Sequence, residues 1–155
     1  MNEDITFIFK HPFELFMVLF MVFVGIHYRN INNLDDITKV YAEITAVSGG
    51  FTSAQYNDFV EDLEKIGYAS DSTSIKVKAT APDGTDLSSK VINVTPPNQT
   101  PYPTNPIYVP RGTKIVLTVK SSKKSLLANI YKWVNIESNI SLGNSRRVYM
   151  SERVE

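Results

Sequence analysis

The sequence predicts an α+β fold in which a long N-terminal hydrophobic helix continues into an amphipathic helix, followed by a second helix and a small, mainly antiparallel sheet. Three patterns indicate this: an apolar run over Leu15–Ile26, apolar residues at helical spacing over 31–66, and alternation of apolar and polar residues from Ile75 onward. A chain of 155 residues has room for one domain with a modest core and one appended element. We therefore expect a transmembrane or assembly helix over residues 1–30 and a head domain over residues 31–155.

The N-terminal segment is long enough to cross a membrane when its flanks are included. The uncharged run alone is shorter than the roughly 20 residues that a spanning helix needs, and signal peptides and buried helices contain similar runs. The stretch Ile5–Tyr28 is sufficient, provided that the Lys10 side chain reaches the interface and Glu14 is neutral or paired. A cleaved signal peptide fits less well, because the chain begins with acidic residues and lacks a small-x-small site. The sequence therefore predicts a single-pass anchor.

Two helices are expected after the anchor. In the first, about residues 31–48, apolar residues recur every three or four positions until Gly49-Gly50, where glycine favours the left-handed turn that ends a helix. The second covers about residues 53–66. It begins with the capping-box pattern Thr52–Gln55 and ends at Gly67.

About four strands are expected from about residue 74 onward, where apolar and polar residues alternate. They are Ile75–Ala81, Val91–Val94, Lys114–Lys120 and Leu126–Ile136, with a last short strand over Arg147–Ser151. Pro82–Thr85 has the composition of a turn that ends the first strand. The run LLANIYKWVNI at Leu126–Ile136 is also compatible with a helix.

Six prolines lie between residues 96 and 110, in the segment PPNQTPYPTNPIYVP. Proline prevents helical continuation and removes backbone donors, so the segment is expected to be extended. Two interpretations remain open: a rigid crossover between strands, or an arm that lies along a partner.

Charge is divided unevenly along a chain whose net charge is zero. Up to Asp71 there are eleven acidic and four basic residues, whereas from Ser72 onward there are five acidic and twelve basic residues. This division favours solvated faces, acidic on the helices and basic on the strands. The alternative is charge complementarity between neighbouring subunits.

The residue types required for common catalytic sites are scarce. Cysteine is absent, and the two histidines, His11 and His27, both lie at the ends of the apolar segment. The chain has no glycine-rich phosphate loop, and Asp83–Asp86 lacks the later carboxylates of a calcium loop. The strand lysines alternate without interleaved exposed aromatic residues, unlike a nucleic-acid site. We therefore expect a non-enzyme with no cofactor, metal, nucleic acid or small-molecule substrate.

The N-terminal third resembles type IV pilin-like proteins, and more narrowly the TadE-like minor pilins or pseudopilins of secretion, conjugation or adhesion systems. The resemblance rests on Phe13-Glu14-Leu15, the apolar run that follows it, Arg29 and the amphipathic stretch through Gly49-Gly50. The residues before it, Ile8–Pro12, contain no glycine or alanine after which a prepilin peptidase normally cuts, so processing of the N-terminus is left open.

The resemblance implies that the helix assembles with other subunits, and that Glu14 pairs with the N-terminal amine of a neighbour. Pairing agrees with the cost of a carboxylate in apolar surroundings, which makes Glu14 a candidate for setting register. The alternative is that Glu14 lies at the membrane interface near Lys10 and the first turn of the helix. The candidate assembly residues are Phe13, Glu14, Leu15, Phe16, Leu19, Phe20 and Phe23.

Two functions are compatible with this sequence. In the first, the protein is a structural subunit that is anchored by its helix, with the N-terminus inside and the head outside, and then self-associates or joins other pilin-like subunits in a surface filament or pseudopilus. In the second, it is a membrane-tethered accessory or binding module of such a machine and does not polymerise.

Overall fold

The computed structural model describes residues 2–68, 73–91, 109–133 and 140–152. These residues form an α+β fold, which confirms the predicted class. The elements in chain order are α1 (Asn2–Ser48), α2 (Ser53–Lys65), β1 (Thr73–Thr80), α3 (Ser88–Val91), β2 (Lys114–Ser121), α4 (Leu126–Trp133) and β3 (Asn144–Met150).

Helix α1 is a single, continuous helix of 47 residues. At 1.5 Å per residue it is about 70 Å long. Along its described side chains, from Lys10 onward, the first buried one is Leu34. Residues 10–33 are therefore uncovered by the rest of the described chain, whereas the C-terminal third of α1 is part of the head. The boundary that the sequence suggests at residue 30 lies inside this helix.

The helix ends occur where the sequence predicts them. Gly49 has a positive φ of 76°, and its N–H donates to the carbonyl of Thr45 at 2.8 Å. The capping box of α2 is complete, since the Gln55 N–H donates to Thr52 Oγ1 at 3.2 Å and the Thr52 N–H donates to Gln55 Oε1 at 3.0 Å. Gly67, with φ of 90°, follows α2.

The sheet is antiparallel and has the order β1-β2-β3. Its register places Val77 opposite Leu117 and Leu117 opposite Arg147. Three predicted strands are confirmed, but the sheet formed by the described residues has three strands rather than about four.

The predicted strand at Leu126–Ile136 was wrong, because Leu126–Trp133 is a helix. Ser125 accounts for the difference: its Oγ accepts a hydrogen bond from the Leu127 N–H at 3.0 Å and so satisfies a donor in the first turn. Val91, predicted to begin a strand, instead ends α3. The remainder of that predicted strand, and the proline-rich segment as far as residue 108, lie outside the described residues.

The core lies between the sheet and helices α1 and α2, which cover the same sheet face. On α1 the buried positions facing it include small residues, which allow close approach of the sheet. These are Thr38, Ala42, Thr45 and Ala46. The ring of Phe59 on α2 lies 4.7 Å from that of Tyr41 and 6.0 Å from that of Phe51, measured between centroids. The head is therefore a two-layer unit with helices on one side.

Candidate functional site

Among the described residues, most of the exposed large apolar side chains lie on the N-terminal part of α1. Exposed large apolar side chains there are Phe13, Leu15, Phe16, Met17, Val18, Leu19, Met21, Val22, Ile26 and Tyr28. Covering one such side chain contributes about 1.5–3 kcal/mol. A contiguous surface of this kind indicates an apolar environment supplied by lipid or by other protein.

Helix α1 is long and apolar enough to cross a membrane. Among the described residues, the segment that meets this criterion by length and composition is Lys10–Ser48. No residue in its most apolar stretch of 18 residues is buried against the rest of the chain. The core helix of a soluble protein would be mostly buried, so its lack of cover separates this segment from an ordinary core helix.

Six of the seven candidate assembly residues lie on this uncovered helix in two neighbouring rows, and Glu14 lies outside both rows. Phe13, Phe16, Phe20 and Phe23 are three or four positions apart and therefore form one aromatic stripe. The rings of Phe16 and Phe20 are stacked with centroids 6.4 Å apart. Leu15 and Leu19 lie beside this stripe and are 62% and 47% exposed. A neighbouring helix could thus contact most of the predicted residues at once.

Glu14 has two partners within its own helix. Its Oε1 lies 3.8 Å from Lys10 Nζ, and its Oε2 lies 3.3 Å from His11 Nδ1, which is an ion pair only when His11 is protonated. The Lys10 contact is the one that the interfacial alternative anticipates. The Glu14 side chain nevertheless remains 53% exposed, so its oxygens have capacity to accept further hydrogen bonds.

The helix is fixed to the head by polar contacts that sequence reasoning missed. Asp35 accepts hydrogen bonds from Arg147 and, at 2.8 Å, from Ser145 Oγ. Farther along α1, Glu43 Oε1 accepts a hydrogen bond from the Tyr149 hydroxyl at 3.2 Å. These contacts join α1 to β3. The only local signal of these contacts is that Asp35 lies beside Leu34, which is buried.

A second polar contact joins α1 to α2. The Tyr41 hydroxyl donates to Asp62 Oδ2 at 2.9 Å, and Lys65 Nζ donates to Asp62 Oδ1 at 2.9 Å. The hydrogen bonds from Lys65 and Tyr41 lower the pKa of Asp62, because both favour the carboxylate form. Asp62 is therefore held charged at the helix interface.

A small pocket lies between α2 and β1. It has a volume of about 60 Å³ and is lined by Tyr56, Val60, Leu63, Tyr68, Thr73 and Ile75. This is room for about two water molecules, whereas small-molecule sites occupy about 300–1,000 Å³. Within the described ranges, no group of three or more His, Cys, Asp or Glu side chains is placed to hold a metal ion.

No family model, curated protein or solved structure matches the chain. The resemblance of its first third to pilin-like proteins accordingly stays a prediction from the sequence. The features from which function is inferred are the uncovered apolar part of α1, Glu14 and the continuous helical junction with the head.

Proposed function

We propose that the protein is a non-enzymatic, pilin-like structural subunit. The N-terminal part of α1 anchors it in a membrane before assembly and then packs against the same helix of other subunits in a filament or pseudopilus. The observation that carries the proposal is an apolar helical segment of about 36 Å, over residues 10–33, that the head leaves uncovered.

The direct continuity of this segment with the head favours assembly over simple tethering. A tether needs no fixed geometry, and a flexible linker serves that purpose. Here the same helix crosses the boundary near residue 30 without a break, and Asp35 and Glu43 fasten it to β3. The position of the head relative to the apolar helix is thereby set, as it must be if helix packing is to place the heads in a regular array.

Glu14 has a specific role in this proposal. In the isolated chain its partners are Lys10 and His11, both in the same turn of helix. Assembly would bring an amine of a neighbouring subunit to the exposed carboxylate of Glu14. This amine would replace the contact of Glu14 with the membrane interface. A charge that is fully paired only in one arrangement fixes the register of the helices. The N-terminus would lie inside the membrane-bounded compartment and the head outside, at the cell surface after assembly.

The first experiment asks where the protein goes when filaments are detached from cells. Cells expressing the full chain with a C-terminal tag are sheared, and the released material is pelleted at high speed. Tagged protein in filaments supports a structural subunit. Retention of all of it in the membrane contradicts a surface filament and supports the tethered module or a minor component confined to the base.

The second experiment separates anchoring from assembly. Glu14→Ala should leave expression and membrane insertion intact and reduce incorporation into sheared filaments, because the register contact is lost. Asp83→Ala, which removes an exposed carboxylate from the turn after β1, is the control. Unchanged incorporation of the Glu14 variant would remove the role assigned to this residue.

Replacement of residues 5–28 by an unrelated transmembrane helix provides the complementary test. A tethered module should keep its function, because that helix only localises the head. A pilin-like subunit should lose filament incorporation while remaining in the membrane.

A further inference from the structure

One face of the sheet is uncovered and basic. Helices α1 and α2 cover the face that carries Leu117 and Val119, so alternate residues point away from the core. The exposed cationic residues on the outer face are Lys76 and Lys78 of β1, Lys114 and Lys120 of β2, and Arg146 of β3. The register brings them together, since Lys76, Thr118 and Arg146 lie side by side across the three strands.

The opposite face of the head is acidic. Helix α2 buries Phe59 and Leu63, and the other side of this helix exposes Asp58, Glu61 and Glu64. Lys65, the basic residue in the last turn of α2, forms ion pairs within the helix: its Nζ lies 3.1 Å from Glu61 Oε1 and 2.9 Å from Asp62 Oδ1. Because the helices and the sheet form two layers, this acidic surface and the basic sheet face point in opposite directions.

The two faces also match in their lateral arrangement. Helix α2 lies behind β1, where its Val60 and Leu63 line the pocket together with Ile75. A second copy stacked without rotation therefore places its α2 carboxylates against the β1 lysines, Lys76 and Lys78. Opposite charges meet along this edge of the contact.

The other edge of each face is apolar. Helix α1 lies behind β3, as the contacts of Asp35 and Glu43 show. The outer side of β3 exposes Val148 and Met150, and the outer side of α1 exposes Val40 and Val47. The same stacking therefore brings an apolar pair of one copy onto an apolar pair of the next.

The orientation of the basic face favours a neighbouring subunit over lipid headgroups. Ser145 bonds to Asp35, Tyr149 bonds to Glu43, and the Glu152 N–H donates to the carbonyl of Ala46 at 2.9 Å. Strand β3 thus advances along α1 in the direction of the helix. Since the outer sheet face lies alongside the helix, it points sideways when that helix stands in a membrane or filament.

We propose that the outer sheet face of one head, centred on Lys76, Lys78 and Arg146, docks onto the α2–α1 face of a second copy of this chain. This contact rests on the proposed function for its setting and deepens it by naming the surface that joins adjacent heads. It is head-to-tail, with different surfaces on the two copies, so it can propagate along an assembly instead of stopping at a dimer.

Charge reversal tests the electrostatic part of the contact in cells that express the full chain. Lys76→Glu/Lys78→Glu should place like charges opposite each other and lower head-to-head cross-linking by about tenfold or more. Asp58→Lys/Glu61→Lys should do the same. Combining the four substitutions in one chain should restore cross-linking, because the pairing is then inverted. The control Lys123→Glu/Lys124→Glu makes the same charge change in the loop after β2 and should have no effect.

Cross-linking is read with engineered thiols, which are unique because the chain has no cysteine. Ser74→Cys lies on the exposed outer side of β1 and Asn57→Cys on the exposed side of α2, and neither change alters a charge. In membranes, a chain carrying both thiols should give a ladder of dimers, trimers and larger species with a short bismaleimide. Each single-thiol variant should give no ladder.

The outcomes separate this contact from the proposed function. A ladder that disappears on either reversal and returns in the fourfold variant supports the contact, whether or not sheared filaments are recovered. Filaments without a ladder leave the structural function standing and overturn the contact. Dimers formed by Ser74→Cys alone, or cross-linking unaffected by charge reversal, also overturn it.

Discussion

The guanidinium group of Arg147 on β3 donates a hydrogen bond to the carboxylate of Asp35 on α1, across 112 positions of the chain. Ser145, two positions earlier on β3, donates to the other oxygen of the same carboxylate. Asp35 lies next to Leu34, where the uncovered part of the helix ends. This contact therefore joins the last strand of the head to the base of the protruding helix.

Asp35→Ala should destabilise the head by about 1–2 kcal/mol, because it leaves Arg147 and Ser145 without their shared acceptor. The Arg147 Nε is itself buried and has no hydrogen-bond partner within the described part of the chain. Chemical unfolding of the full chain in detergent, followed by near-ultraviolet circular dichroism, measures the change. The neighbouring, exposed Asp36→Ala is the control and should lie within about 0.5 kcal/mol of the parent. Equal effects of the two substitutions would contradict the role of Asp35.

Local patterns were sufficient to predict most elements of this fold. The spacing of apolar residues identifies the helical run that ends at Gly49, and the box at Thr52 locates the start of α2. Alternation identifies β1 and β2, because every second residue of each strand faces the helices. These signals involve residues a few positions apart, which is why one sequence is enough to detect them.

The sequence pattern predicts a wrong element where two local signals compete, and it does not indicate contacts between residues far apart in the chain. Leu126–Trp133 has apolar residues suited to either element, and the cap at Ser125 decides for a helix. The partners of Asp35 are more than 100 positions away, so no periodicity indicates them. For the candidate site, the sequence identifies the apolar helix, but the lack of cover over it becomes visible only once the head is folded.

Gly143→Ala should destabilise the head by about 1–3 kcal/mol, as overpacking of a core commonly does. A Cβ at this position would lie 2.4 Å from the Tyr68 hydroxyl oxygen and 3.0 Å from Leu34 Cδ2. The Tyr68 side chain is 1% exposed and Leu34 is fully buried, so neither can easily move away. Unfolding of the full chain in detergent gives the change in stability.

A double-mutant cycle identifies the clash that causes this loss. Tyr68→Phe removes the hydroxyl that is nearest to the added methyl group. In the Tyr68→Phe background, Gly143→Ala should lower the free energy of unfolding by less than it does in the parent. The two sites are in contact, so their effects are coupled. Strictly additive effects would show that the Tyr68 hydroxyl does not limit the space at Gly143.

The head should lose stability in alkaline solution as Tyr68 ionises. Burial raises the pKa of Tyr68 to about 12, above the ordinary value of about 10. The folded state favours the neutral phenol, whose hydroxyl donates to the carbonyl of Leu142 at 3.1 Å. This contribution is complete below pH 10 and is lost as the pH rises through about 12.

Comparison of Tyr68→Phe with the parent measures that contribution. The free energy of unfolding of the parent should fall more steeply between about pH 10 and 12, because only the parent has this phenol to ionise. The absorbance of tyrosinate should show one tyrosine fewer among the late-titrating groups of the variant. Parallel pH profiles for the two proteins would contradict the assignment.

Ala42→Leu should destabilise the head by about 1–3 kcal/mol, because the sheet leaves no space for a larger side chain on this side of α1. Ala42 is 2% exposed and belongs to the core with Leu117 and Val119. Val40→Leu is the matched control: it also enlarges an apolar side chain of α1, but at a position that is 52% exposed. We expect it to change stability by less than about 0.5 kcal/mol. If α1 packs on the sheet through its small residues, only Ala42→Leu should shift the unfolding midpoint; a comparable shift for both variants would contradict this packing.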